Sequence, residues 1–167
     1  MGRLCAGLGL NSVWDLEVPY MDLLGTRRFF MPTTNFRIYP KRKLVSIYWT
    51  AAPSIQDWHD VIERILGHPE YKRGMNFITR RDGMQTGVTT DYVRQVLDVL
   101  ERRSGRLTPV SLAIVAPGLF EFGMARMMES FSESVSIIVR AFRRPREAIE
   151  WLKHPVRYEG HGNLAFA

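Results

Sequence analysis

The side chains best placed to do chemistry fall in two short stretches. One is Arg80-Arg81-Asp82-Gly83-Met84-Gln85-Thr86-Gly87-Val88-Thr89-Thr90; the other runs from Ala116-Pro117-Gly118 through Phe120, Phe122, Gly123 and Met124. Each follows an apolar run and precedes a helical one, so each is expected where a strand ends and a helix begins. In open α/β sheets ligands collect outside the carboxyl ends of the strands, near a point where the strand order reverses. Arg80 and Arg81 would attract an anionic group, helped by the free amides of two helix N-termini. Asp82, Thr89, Thr90 and Gly118 complete the polar rim, and Phe120, Phe122 and Met124 supply apolar contact. The chemistry expected of this set is binding, either of a small amphipathic or anionic ligand or of a protein partner.

Bond-breaking chemistry finds no comparable support. His59 lies beside Trp58 in a helical pattern, His68 in the segment that ends it, and His154 and His161 near the end of the chain. None has a second His or Cys at metal-ligand spacing. Glu150 and His154 stand four apart at a helix end without a third ligand and read as a surface pair. Ser111 sits inside an apolar strand, and nucleophile elbows, phosphate loops and dinucleotide fingerprints are absent from the sequence. The expectation is a non-enzymatic protein without metal or cofactor.

Composition sets the frame. The 167 residues, 46% hydrophobic and 24% charged, suffice for one domain with a real core. The lone Cys5 excludes an intrachain disulfide and fits a reducing compartment. The net charge of +6 is spread over short clusters (Arg27-Arg28, Lys41-Arg42-Lys43, Arg80-Arg81, Arg102-Arg103, and Arg143-Arg144 with Arg146), which reads as a solvated basic surface; no nucleic-acid partner is expected. No apolar run approaches the ~20 residues of a membrane helix. The start of the chain lacks a clear cleavage site, so the protein is expected in the cytoplasm. Residues 1–33 show no sustained period and read as an irregular extension, or as an arm using Trp14, Tyr20 and Phe29-Phe30, with Met21 and Met31 as alternative starts. Residues 155–167 read as a coil tail.

Between them, residues 34–154 carry regular patterns. Phe36, Ile38 and the run 44–49 form a β-hairpin around Pro40 and Lys41 to Lys43. Ser54-Ile55-Gln56-Asp57 is a capping box opening a helix whose inner face is Ile55, Trp58, Val61, Ile62 and Ile65. Gly67 and Pro69 stop that helix. A strand follows at residues 75–79, then a helix capped by Thr89 or Thr90 with Val93, Val96, Leu97 and Leu100 inward, ended by Gly105. The near-continuous apolar run 110–115 reads as a strand buried on both faces. A helix over residues 119–130 places Phe120, Met124, Met127, Met128 and Phe131 on one side. Its other side carries Glu121, Arg126, Glu129 and Ser130, with Phe122 exposed among them. A last strand over 135–142 leads to a helix opened by Pro145. The expected fold is a single α/β domain, a mostly parallel sheet of about five strands entered by a hairpin, with four helices.

This layout resembles the SpoIIAA-like branch of the STAS-type domains, bacterial proteins compared with both anti-sigma-factor antagonists and CRAL-TRIO lipid-binding domains. The similarity rests on Leu44-Val45, His68-Pro69-Glu70-Tyr71, Ala113-Ile114-Val115-Ala116, Phe122-Gly123-Met124-Ala125-Arg126-Met127 and Glu147-Ala148-Ile149-Glu150-Trp151-Leu152. It implies a regulatory or binding module, with homodimerisation or an anti-sigma-type protein partner as the alternative to a small ligand. One departure stands out. Phosphorylated antagonists carry an Asp-Ser-Ser-Gly-like segment where this chain reads Arg81 to Thr90, so the usual serine is missing and only Thr86, Thr89 and Thr90 could carry a phosphate.

Overall fold

The computed structural model describes residues 34–81, 89–107 and 110–154, with only the backbone of Arg81. The expected extension (1–33) and tail (155–167), together with Asp82 and Thr86, lie outside the described residues. The hairpin forms as expected: β1 (Thr34–Tyr39) pairs antiparallel with β2 (Leu44–Trp49). A single 3-10 turn (Pro40–Arg42) links them, and Lys43 closes it in the left-handed region at φ 49°. Then α1 (Ile55–Leu66) begins with the Ser54–Asp57 capping box, in which each side chain accepts the other residue's backbone N–H, at 3.1 and 2.7 Å. Its period buries Trp58, Val61, Ile62 and Ile65.

The rest alternates strand and helix: β3 (Asn76–Arg81), α2 (Thr90–Glu101), α3 (Ser104–Leu107), β4 (Ser111–Val115), α4 (Leu119–Phe131), β5 (Ile138–Phe142) and α5 (Pro145–Lys153). Five helices stand where four were expected. The segment around Gly105 does not simply end α2 but turns once more as α3, which buries Leu107. The sheet order is β1-β2-β3-β4-β5, with β2 to β5 parallel. The domain is therefore a single α/β unit with a mostly parallel five-stranded sheet.

Because strand side chains alternate, the two faces separate cleanly. Val45, Ile47, Phe77, Leu112 and Val139 share one core with the buried residues of α1 and α2 and with Met128 of α4. Those three helices form a layer, α1 against α2 and α2 against α4. Ile78 and Ala113, both fully buried, point to the other face, where α5 packs on β3, β4 and β5. Its Trp151 ring lies 5.6 Å from that of Phe142. The expected two-sided burial of the fourth strand is met, with Ser111, Leu112, Ala113 and Val115 all buried. No described helix is long and apolar enough to cross a membrane.

The sequential strand order corrects one premise. Nowhere in the sheet does the order reverse, so no switch point opens a crevice there. Adjacency does the work instead: β3 and β4 are neighbours, and so are the starts of the helices that follow them.

Candidate functional site

At the carboxyl ends of β2, β3 and β4 the helix layer does not close on the sheet. A cavity of about 100 Å³ remains beneath α2 and α4. Three aromatic rings wall it: Trp49 from the end of β2, Trp58 from α1 and Tyr92 from the first turn of α2. The two tryptophans lie 4.8 Å apart, tilted by 51°. Their polar atoms are already engaged. The Trp49 indole N–H donates to Thr79 Oγ1 at 2.9 Å in a buried contact, a bond that satisfies the otherwise costly polar atoms of both. The Trp58 indole N–H donates to the Tyr92 hydroxyl at 3.0 Å, which donates in turn to the Pro53 carbonyl at 2.7 Å. What these rings offer the cavity is therefore apolar surface. Val93 and Val96 of α2, Ile114 of β4, and Met124, Ala125 and Met128 of α4 extend it.

One charged side chain borders this apolar space, Glu121 from α4; Arg80 of β3 meets it only through the strand backbone, because its side chain alternates with that of Thr79 and shares the face of Ile78. Arg80 is half-buried and lies in register with Val115 of β4. Glu121 folds back over the N-terminus of α4, so that a side chain at Gly118 would collide with its carboxylate. An acidic group in a first helical turn is favoured by the helix dipole.

The structure brings together only part of the expected set. Met124 lines the cavity, whereas Arg80 meets it only through the strand backbone. Thr89 is the N-cap of α2, its Oγ1 accepting the Tyr92 N–H at 3.2 Å, and Thr90, exposed, is the first helical residue. Thr89 thereby holds the start of Tyr92's turn, and neither threonine lines the cavity. Gly118 is the N-cap of α4 and makes no side-chain cap. Arg81 ends β3, in register with Trp49. Asp82 lies outside the described residues.

Phe120 and Phe122 exchange the places expected for them. Phe120 is 49% exposed, whereas Phe122 is half-buried against a cluster of Ala116, Ala125 and Ala141, with the Arg143 guanidinium 5.0 Å from its ring. The cause is the small-residue contact between α4 and β5. Alanines allow close approach, and seating them turns α4 by roughly a quarter turn from the direction its Met and Phe residues suggest. Met128 and Ala125 become the buried line, with Glu121 carried inward beside them. Glu129, expected on the outer side, instead accepts the Ala141 backbone N–H at 3.0 Å. Glu150 pairs with Lys153 at 2.7 Å, with His154 among the other charges acting on it.

The residues missed were the aromatic wall and Glu121. Trp58 was assigned to the core by its period, and nothing in a period shows that its neighbours leave a gap. Among the described residues no three His, Cys, Asp or Glu side chains converge as a metal site would require. In comparisons with known proteins, no family model, no curated protein and no solved structure matches the chain.

Proposed function

We propose that this protein is a non-enzymatic, STAS-like binding module of the cytoplasm that takes a small amphipathic ligand in the cavity at the carboxyl ends of β2 to β4. The apolar part of the ligand lies between Trp49, Trp58 and Tyr92, and its polar group lies at the edge beside Glu121. The observation that supports this reading is the wall itself: aromatic rings whose hydrogen-bonding atoms the protein already satisfies, around a cavity of about 100 Å³. Such apolar cavities with a few placed polar groups are the usual form of small-molecule sites. The charge of Glu121 at that edge also argues for selectivity, since its carboxylate repels an anionic group and favours a neutral one.

Tryptophan fluorescence provides the test, because Trp49 and Trp58 are both in the wall. Octanoate and indole-3-acetate serve as anionic probes, octanol and indole as neutral ones. The neutral probes should shift the emission at concentrations about tenfold lower than the anionic ones, a difference of ~1.4 kcal/mol. Glu121→Gln should remove that preference, and Val96→Phe, which fills the space, should abolish the response to all four. A protein that stays unliganded with every probe, in fluorescence and in native mass spectrometry, overturns the reading.

A further inference from the structure

A separate surface at the same end of the sheet has its own chemistry. Leu119, 79% exposed, and Phe120, 49% exposed, are the exposed large apolar side chains among the described residues, and they are consecutive. They occupy the first two positions of α4, where neither is buried. The adjoining segment is strongly basic. The Ala116 N–H donates to the Phe142 carbonyl at 2.8 Å, which ties the approach to α4 to the end of β5. Arg143 then lies over Phe122, one helical turn beyond Leu119. Arg140, Arg143, Arg144 and Arg146 are all exposed, with no acidic residue among positions 140 to 146. Carboxylates flank this segment: Glu147, weakly engaged at 3.9 Å from Arg144, and Glu121, folded back over the N-terminus of α4.

We propose that this apolar tip and its arginines dock on an anionic lipid bilayer. Side chains that insert into the headgroup region and cations that bind anionic lipid are the two signals that together hold a peripheral protein on a membrane. Both stand here side by side, on helices that begin at the same end of the sheet. The alternatives fit less well. Duplex nucleic acid would use the arginines but gives an aliphatic Leu119 nothing to do. A two-fold dimer centred on the tip would set each arginine cluster against its own copy. The proposal does not depend on the ligand cavity.

Vesicle co-sedimentation of the full chain tests it, using phosphatidylcholine alone and phosphatidylcholine with one third phosphatidylglycerol. Binding to the anionic vesicles should be at least about tenfold tighter and should weaken with added salt. The double variant Leu119→Ser with Phe120→Ser should weaken it by about tenfold. The triple variant Arg143→Gln, Arg144→Gln, Arg146→Gln should remove the preference for anionic lipid. All three arginines, Leu119 and Phe120 are exposed, so both variants should melt close to the parent, which circular dichroism checks. Four results overturn the proposal: no binding to anionic vesicles, full binding by the serine variant, binding to a DNA duplex but not to vesicles, or a dimer in light scattering that the serine variant disrupts.

Discussion

The two ends of the parallel sheet treat their polar side chains differently. At the amino ends, polar groups are used on the protein itself. Asn76 accepts the Ser111 N–H at 3.1 Å and donates to the Leu152 carbonyl at 3.3 Å, joining β3, β4 and α5. Glu101 accepts both the backbone N–H and the hydroxyl of Ser136, at 2.8 and 2.9 Å, just ahead of β5. Glu63 at the far end of α1 takes Arg103 at 2.7 Å and Arg106 at 3.2 Å, one before and one within α3. The core here leaves a void of only about 10 Å³. At the carboxyl ends the helices part around a larger cavity, Glu121 borders it, and Leu119 and Phe120 stand in solvent. One end closes the fold and the other leaves surface for something else, a division of labour that follows from where helices start and where they finish.

Three measurements can break or sharpen that contrast. The largest effect is expected from truncating the close-packed core. Leu112→Ala, below the cavity, should cost ~2–5 kcal/mol in chemical denaturation, while Met124→Ala, on the cavity wall and already short of neighbours, should cost less than half as much. Equal losses would mean that the two ends are packed alike. Next comes Asn76→Ala, which leaves the Ser111 N–H and the Leu152 carbonyl without their partner and should cost ~1–3 kcal/mol. A change below ~0.5 kcal/mol would remove Asn76 from the closing set.

The smallest effect concerns Glu63. The hydrogen bond from Arg103, reinforced by Arg106, holds its carboxyl below the usual carboxylate range, against a smaller opposing effect of desolvation. The folded chain therefore holds that proton less tightly than the unfolded one. The resulting stability is present above the ordinary value of 4.5 and is lost as pH falls through the lowered value. Because the carboxylate is well exposed, Glu63→Gln should cost only ~0.5–1 kcal/mol at neutral pH. The difference between variant and parent should close as the solution is acidified below pH 4.5. A constant difference across that range would show that packing, not charge, carries the effect.

Much of the architecture was legible because it is written locally. The capping box at Ser54 and Asp57 spans four residues, the hairpin turn is marked by Pro40, and the two-sided burial of β4 follows from an unbroken apolar run. The cavity is written non-locally. Trp49 meets Thr79 across 30 positions, and Trp58 meets Tyr92 across 34, so neither pair leaves a spacing to read. The rotation of α4 was hidden for another reason. Ala125 and Ala141 contribute little to a hydrophobic pattern, yet their small size decides how close the helix comes and which side chains turn inward. Of the expected site residues, Met124 lies on the cavity wall, while the alternation of β3 turns the Arg80 side chain to the other face. The threonines did not reach the cavity, because capping had the first claim on Thr89.

The bond between Glu129 and the Ala141 N–H has a further meaning. β5 is an outer strand, and an outer strand presents unpaired backbone groups that another chain can copy onto. Here one such donor is occupied by a carboxylate reaching over from α4, and the exposed Arg140 precedes it. A second molecule seeking to extend the sheet would have to displace that carboxylate and bury a guanidinium. The edge is thereby guarded against the strand-by-strand growth that leads to fibres, by a residue that plays no part in the core.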